Sequence, residues 1–344
     1  MTTTISKLHQ TRFFRLFITL IALLAVSSSL HAAQRISDLT WQPDDWFRSD
    51  EGRQTLDYIL SWQSEHGDWP KNRNTAAAKY AGNRSKLEGT FDNGATTGEL
   101  RILARAFRVT GDTRYQKAFL AGFDHILKAQ YPNGGWPQYY PFREGYYTRI
   151  TFNDGSMIRL MEFLRDTTKG GDFAFLDKDR VAAARQALDR GLECILKCQI
   201  VVNGKPTVWC AQHDEVTLAP AKARAYELPS LSGGESAGIL IYLMSIEQPS
   251  PEVVRAVKGG VAWFDSAKIQ GFRYVKRALA EDTSAAPIWA RFYEIESNRP
   301  FFSDRDGVKK YDLSEIGEER RKGYAWYNTS GDEVAKAFSK WPYR

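Results

Sequence analysis

The sequence has 344 residues, 43% of them hydrophobic and 26% charged, with a formal net charge of +6. That supports one large globular core or two modest ones and excludes a disordered or fibrous chain. No block of like charge stands out, so nucleic-acid binding gains little support, and five histidines without zinc spacing argue against a zinc enzyme.

The chain opens with a processing signal. Lys7, Arg12 and Arg15 precede the apolar run Leu16–Val26, which is short for a membrane span, and small residues follow up to Ala32 and Ala33. This is the pattern of a secretory signal peptide over residues 1–33, cleaved near Ala32 or Ala33; an uncleaved anchor is the rival. Its removal takes three basic and no acidic residues, leaving a formal charge of +3. The remaining residues, 34–344, are expected to form one secreted or periplasmic domain, monomeric and free of the membrane after cleavage.

A repeat organises that domain. Gln63-Ser64-Glu65-His66-Gly67-Asp68-Trp69-Pro70 and Gln130-Tyr131-Pro132-Asn133-Gly134-Gly135-Trp136-Pro137 both spell Q-x-x-x-G-x-W-P, 67 residues apart. A degraded third copy begins at Gln199, 69 residues further on, with Asn203-Gly204 and then Trp209. Each copy closes a helical stretch: Leu56, Ile59, Leu60 and Trp62 share one helix face, as do Phe119, Phe123, Ile126 and Leu127. Gly67 and Gly134 supply the positive φ a helix stop needs, and Trp and Pro pin the exit.

The outer helices are expected at about Gly52–Trp62, Thr113–Ala129, Asp179–Cys198 and Pro251–Ser266. The inner ones are expected at Thr97–Phe107, Ser156–Leu164 and Ala237–Met244, which is apolar nearly all round and therefore buried. Inner starts lie behind Phe91-Asp92-Asn93-Gly94, Phe152-Asn153-Asp154-Gly155 and Ser232-Gly233-Gly234-Glu235, where Asp and Asn serve as N-caps. The fold class is therefore mainly all-α: an α/α toroid of about three inner/outer helix pairs with long loops. Antiparallel connection puts the inner N-termini at one end, bringing Asp92, Asn93, Asp154 and Glu235 to one mouth.

Asp92, Asn93 and Asp154 are hard oxygen ligands of the kind that suits Ca²⁺, though each alone reads more readily as a cap. The loop Gln212–Pro229 carries Lys222 and Arg224. A later segment sets Arg291 and Arg305 among aromatic residues, which suits a ligand bearing carboxylates and sugar faces. Cys194 and Cys198 share a helix face, a poor geometry for pairing; Cys198–Cys210, Cys194–Cys210 and three free thiols remain open.

At these residues the sequence resembles the family 10 polysaccharide lyases, the α-helical pectate lyases of bacteria. The matching stretches begin with Phe91-Asp92-Asn93-Gly94-Ala95-Thr96, Asn133-Gly134-Gly135-Trp136-Pro137-Gln138 and Ile150-Thr151-Phe152-Asn153-Asp154-Gly155. They continue through Trp209-Cys210-Ala211-Gln212-His213-Asp214, Ala223-Arg224-Ala225-Tyr226-Glu227 and Arg291-Phe292-Tyr293-Glu294. The resemblance runs from about residue 35 to the C-terminus, with Asp68 standing where a second glycine is usual. It implies an α/α toroid that cleaves polygalacturonate by Ca²⁺-assisted β-elimination, giving 4,5-unsaturated oligogalacturonides. It further implies Asp92, Asn93 and Asp154 at the metal, Arg224 as catalytic base, and Asp92, Lys222, Arg291 and Arg305 as substrate contacts.

Three rivals stand beside it. A terpene-cyclase-like protein shares Q-x-x-x-G-x-W repeats but lacks an export signal and carries an Asp-rich acid motif absent here. An exported glycoside hydrolase would pair Asp154 with Asp214 or Glu235. A pectin-binding protein would capture without cleaving.

Overall fold

The computed structural model describes residues 35–344; the expected signal peptide lies outside them. Outer helices α1 (Asp50–Ser61), α3 (Thr113–Ala129), α5 (Lys178–Cys198) and α7 (Pro251–Ala267) alternate in the chain with inner helices α2 (Thr97–Thr110), α4 (Ser156–Thr167) and α6 (Glu235–Met244). A further helix, α8 (Ser330–Lys340), packs on α6 and α7 and continues the inner row; the sequence reading had left it out. Inner neighbours touch in order, α2 with α4, α4 with α6 and α6 with α8. The architecture is the expected α/α toroid. No helix among the described residues is long and apolar enough to cross a membrane.

Side chains start the outer helices. Ser49, Asp112, Asp177 and Ser250 each accept a backbone N–H from the first turn, and Pro251 occupies a position where no N–H is needed. The inner helices start differently, with no side-chain cap on α2, α4 or α6. Asp92 and Asp154, expected as caps, instead lie in separate 3₁₀ turns, Asp92–Gly94 and Asn153–Gly155. Left-handed backbone at Asn93 (φ 55°), Thr96 (φ 68°) and Asp154 (φ 50°) turns their side chains away from the helix amides. Asn and Asp tolerate that conformation better than other non-glycine residues.

The repeat has a hydrogen-bonded identity. Gln63 Nε2 donates to Gly67 O and to Ala118 O on the next outer helix. Gln130 does the same to Gly134 and Ala187, and Gln199 to Thr207 and Ala256. Trp69, Trp136 and Trp209 donate their indole N–H to Ile59, Ile126 and Ile195, and all three rings are fully buried. The degraded third copy thus does the same work as the intact pair. Trp289, donating to Phe264 O, marks a fourth turn that the sequence motif does not reveal. Glycine is required at the turns: Gly134 has φ 93°, and a Cβ there would sit 1.9 Å from Arg190 O.

The three cysteines are free and buried, with Cys194 and Cys198 sulfurs 4.0 Å apart.

Candidate active site

The 3₁₀ turns ahead of α2 and α4 lie side by side, and the turn ahead of α4 also abuts α6. Ser156 Oγ donates to Phe91 O, and the amides of Phe152 and Asn153 both donate to Ala211 O. The expected convergence at one mouth is therefore present. Asn93, Asp154, Glu235 and Arg291 line a common cleft of about 450 Å³ together with Arg159 and Asn328.

Asp92, beside the cleft-lining Asn93 in the same turn, is buried. Its Oδ2 accepts from Lys71 Nζ and Gln138 Nε2, each at 2.6 Å, and its Oδ1 from the Asn93 amide at 2.9 Å. Burial works against the Lys71 charge, but the Asp92 carboxylate outweighs it and holds the ammonium above its ordinary range. Asp154 is different: its carboxylate is 43% exposed, takes one bond from Asn153 Nδ2 at 2.7 Å, and faces Arg291 at 3.6 Å.

Arg291 crosses the cleft wall. It donates to Glu235 Oε1 at 2.7 Å and to Asn153 Oδ1 at 3.1 Å, and its guanidinium lies 4.5 Å from the Tyr324 ring centre. Burial opposes its charge, yet Glu235, Tyr324, Asp154 and Glu227 together keep it protonated. Arg224 also stands near Tyr324, 5.8 Å from the same ring centre and partly exposed. Its Nε and terminal nitrogen grip both oxygens of buried Glu227, which also accepts from Tyr324 Oη at 2.8 Å. Burial again works against the guanidinium charge, and the Glu227 pair shifts the balance upward.

Lys222 and Arg305 are exposed and are not among the residues that line the cleft. Their loops meet at Gly307, whose Cβ position would lie 3.2 Å from Ala225 O and 3.4 Å from Lys222 Nζ. Arg305 pairs with Glu319 at 3.3 Å. His213, in one of the matching stretches, is structural: its Nε2 accepts from the Cys210 amide, its Nδ1 faces Leu218 O, and burial pushes its pKa down to about 4. Asp214 is bound to Arg149 and to the turn at Thr217.

Sequence reasoning passed over Lys71, Gln138, Arg159 and Tyr324. For the first two a signal existed, since each follows a Trp-Pro of the repeat.

Oxygen donors of the kind a hard cation takes line the cleft, although among the described residues no three His, Cys, Asp or Glu side chains are grouped to hold a metal by themselves. Asp154 offers an open carboxylate and Asn93 an amide oxygen with no donor on it among the described residues. Asp92 backs them but already carries Lys71. Ca²⁺ takes six to eight oxygens, so this set leaves room for water and for carboxylate oxygens from a ligand.

A pectic acid lyase family profile matches residues 63–335. Among solved structures the chain is similar to a family 10 polysaccharide lyase from Cellvibrio cellulosa. They share 36% identity with a TM-score of 0.80, over 88% of this chain and 97% of that one. A mutant of that lyase in complex with trigalacturonic acid gives 35% identity and a TM-score of 0.80, over 87% and 96% of the two chains. No curated protein matches at a significant level. The chain belongs to the pectic acid lyase family and is a polysaccharide lyase enzyme.

Proposed function

We propose that this chain is an exported pectate lyase that cleaves α-1,4-linked polygalacturonate by β-elimination, leaving a 4,5-unsaturated uronide. The observation that carries the reading is that Arg224 and Arg291 both stand at the Tyr324 ring, 5.8 and 4.5 Å from its centre, with the open Asp154 carboxylate 3.6 Å from Arg291. The solved relative that holds trigalacturonic acid supports the substrate class. Two arginines at one ring suit successive carboxylates of a uronide chain, since the guanidinium fork matches a carboxylate.

In this reading Arg224, in its neutral form, removes the C5 proton. The electron pair left behind forms the C4–C5 double bond. The C4–O bond breaks, and water protonates the departing oxygen. Asp92 with Lys71, Asn93 and Asp154 form the candidate calcium site. Ca²⁺ bound there would neutralise the uronate carboxylate and make the C5 proton more acidic. Arg291, Lys222 and Arg305 hold substrate carboxylates.

Hydrolysis is less well supported. It needs two available carboxyl groups. Glu235 is bound to Arg291 and Ser232, and Asp214 to Arg149. The test is incubation with polygalacturonate and Ca²⁺, with and without chelator, following ultraviolet absorbance and reducing ends. Chelator-sensitive absorbance is expected. Reducing ends without absorbance mean hydrolysis, and binding without either means a capture protein.

A further inference from the structure

Arg159 occupies an unusual place in the cleft. It rises from the first turns of α4, is exposed, and lies across two glycines that hold matching positions in the repeat. A Cβ on Gly94 would sit 3.7 Å from its Cδ, and one on Gly155 3.5 Å from its guanidinium. Both distances are ordinary van der Waals contacts, so the arginine side chain packs against the two turns. Its guanidinium donates to the main-chain oxygen of Asp154. Among the described residues it pairs with no carboxylate, whereas Arg291 in the same cleft holds Glu235.

The surroundings leave room for a ligand. Gly234 and Gly238 line the cleft near Arg159, and a Cβ on either would meet nothing within 4 Å. Asn328 completes the lining; its Oδ1 accepts from the Ser330 amide at 3.0 Å, which leaves Nδ2 to donate. A cationic fork, an amide donor and a glycine floor form one concave surface.

We infer that Arg159 and Asn328, which line the same cleft, form a carboxylate-binding subsite there, reading a uronate residue separate from the one held by Arg291 and Arg224. The inference rests on the lyase reading for the identity of the chain bound there. The chemistry it requires is an anionic oligosaccharide, with the carboxylate on the guanidinium and a sugar face over the glycines.

The experiment compares wild type with Arg159→Gln and Arg159→Lys in two ways. Steady-state kinetics are measured on tri- through hexagalacturonate, and hexagalacturonate binding is measured by calorimetry in an Arg224→Gln background that slows turnover. Loss of a charge-assisted contact of this kind is worth about tenfold in affinity. The expected result is a loss carried mainly by KM that grows with chain length, a matching loss in calorimetric affinity, and partial recovery in the lysine variant. If Arg159 were only a strut for the Asp154 loop, kcat would fall equally at every length and the calcium demand would shift. That pattern, or unchanged affinity, overturns the subsite. Wild type that binds the hexamer but releases no unsaturated product defeats the lyase reading, and weaker binding by Arg159→Gln would still uphold the subsite.

Discussion

Lys71 and Gln138 stand 67 residues apart, each directly after the Trp-Pro of its repeat, and both donate to the same oxygen of Asp92 at 2.6 Å. The repeat therefore does more than shape the ring. It delivers one cation and one amide to a buried carboxylate next to the cleft-lining Asn93. Lys71→Met removes the cation and leaves Asp92 with amide donors alone. Breaking a buried pair costs about 3–5 kcal/mol; with Lys71 itself 26% exposed, the expected loss is nearer about 2 kcal/mol. Urea unfolding checks it. Because the Lys71 pKa is raised in the folded state, the pair's contribution is complete below the ordinary lysine range and is lost as pH rises from there through the raised value. If calcium binds beside Asp92, added Ca²⁺ should restore more stability to this variant than to wild type.

Asp154→Asn tests the metal assignment. Asparagine keeps an oxygen and tolerates the left-handed backbone, φ 50°, so the turn is retained while the charge is lost. Because Asp154 is 43% exposed and its nearest cation is 3.6 Å away, thermal stability should move by no more than about 0.5 kcal/mol. The calcium concentration for half-maximal activity should rise by about tenfold or more, since ligand charge sets Ca²⁺ affinity. A calcium titration of the rate reads this directly, and an unchanged midpoint would remove Asp154 from the site.

Arg224 predicts a pH profile. Its raised pKa makes the neutral form a minor species whose share grows with pH. If that form takes the C5 proton, kcat/KM should rise by up to about tenfold per pH unit on the alkaline side of neutrality. Arg224→Gln keeps an amide for Glu227 and should lower kcat by about 10²–10⁴-fold with the slope abolished. Glu227→Gln withdraws the carboxylate that holds the charge up, so the rise should begin at lower pH while the maximal rate drops for want of the two-pronged grip. A profile that ignores both substitutions would assign the base elsewhere.

The ring was legible in the sequence because its parts are local. Helix faces at 3.6-residue spacing and Gly-Trp-Pro turns need only neighbouring residues, and α3 (Thr113–Ala129) has the expected bounds. The meeting of Asp92, Asp154 and Glu235 at one mouth also followed, because alternating helices must place like ends together. What escaped depends on contacts between distant segments. The Arg224–Tyr324–Arg291 row joins residues up to 100 positions apart through a ring near the C-terminus, with no periodicity to announce it. The turns at Asp92 and Asp154 escaped for another reason: a left-handed residue inside each one redirects the side chain, and composition alone favours the simpler cap. Lys71 was within reach of the repeat, had the position after each Trp-Pro been compared.

Glu99, buried in the first turn of α2, gives a stability prediction independent of the substrate. Thr75 Oγ1 donates to one of its oxygens at 2.9 Å, and the other meets no full hydrogen bond among the described residues. Burial raises its pKa from 4.5 to about 7 against the weaker pull of Thr75 and the helix amides. The folded state therefore holds a proton that the unfolded chain gives up above its own lower pKa. Stability from this group is complete below about pH 4.5 and is lost as pH rises through about 7, for a total of about 3 kcal/mol. Glu99→Gln stays neutral throughout and keeps a carbonyl for Thr75. Chemical denaturation of both proteins at pH 5 and pH 8 should show near-equal stability at the lower pH and a more stable glutamine variant at the higher one. Equal stability at both would mean that Glu99 is ionised with a partner when folded.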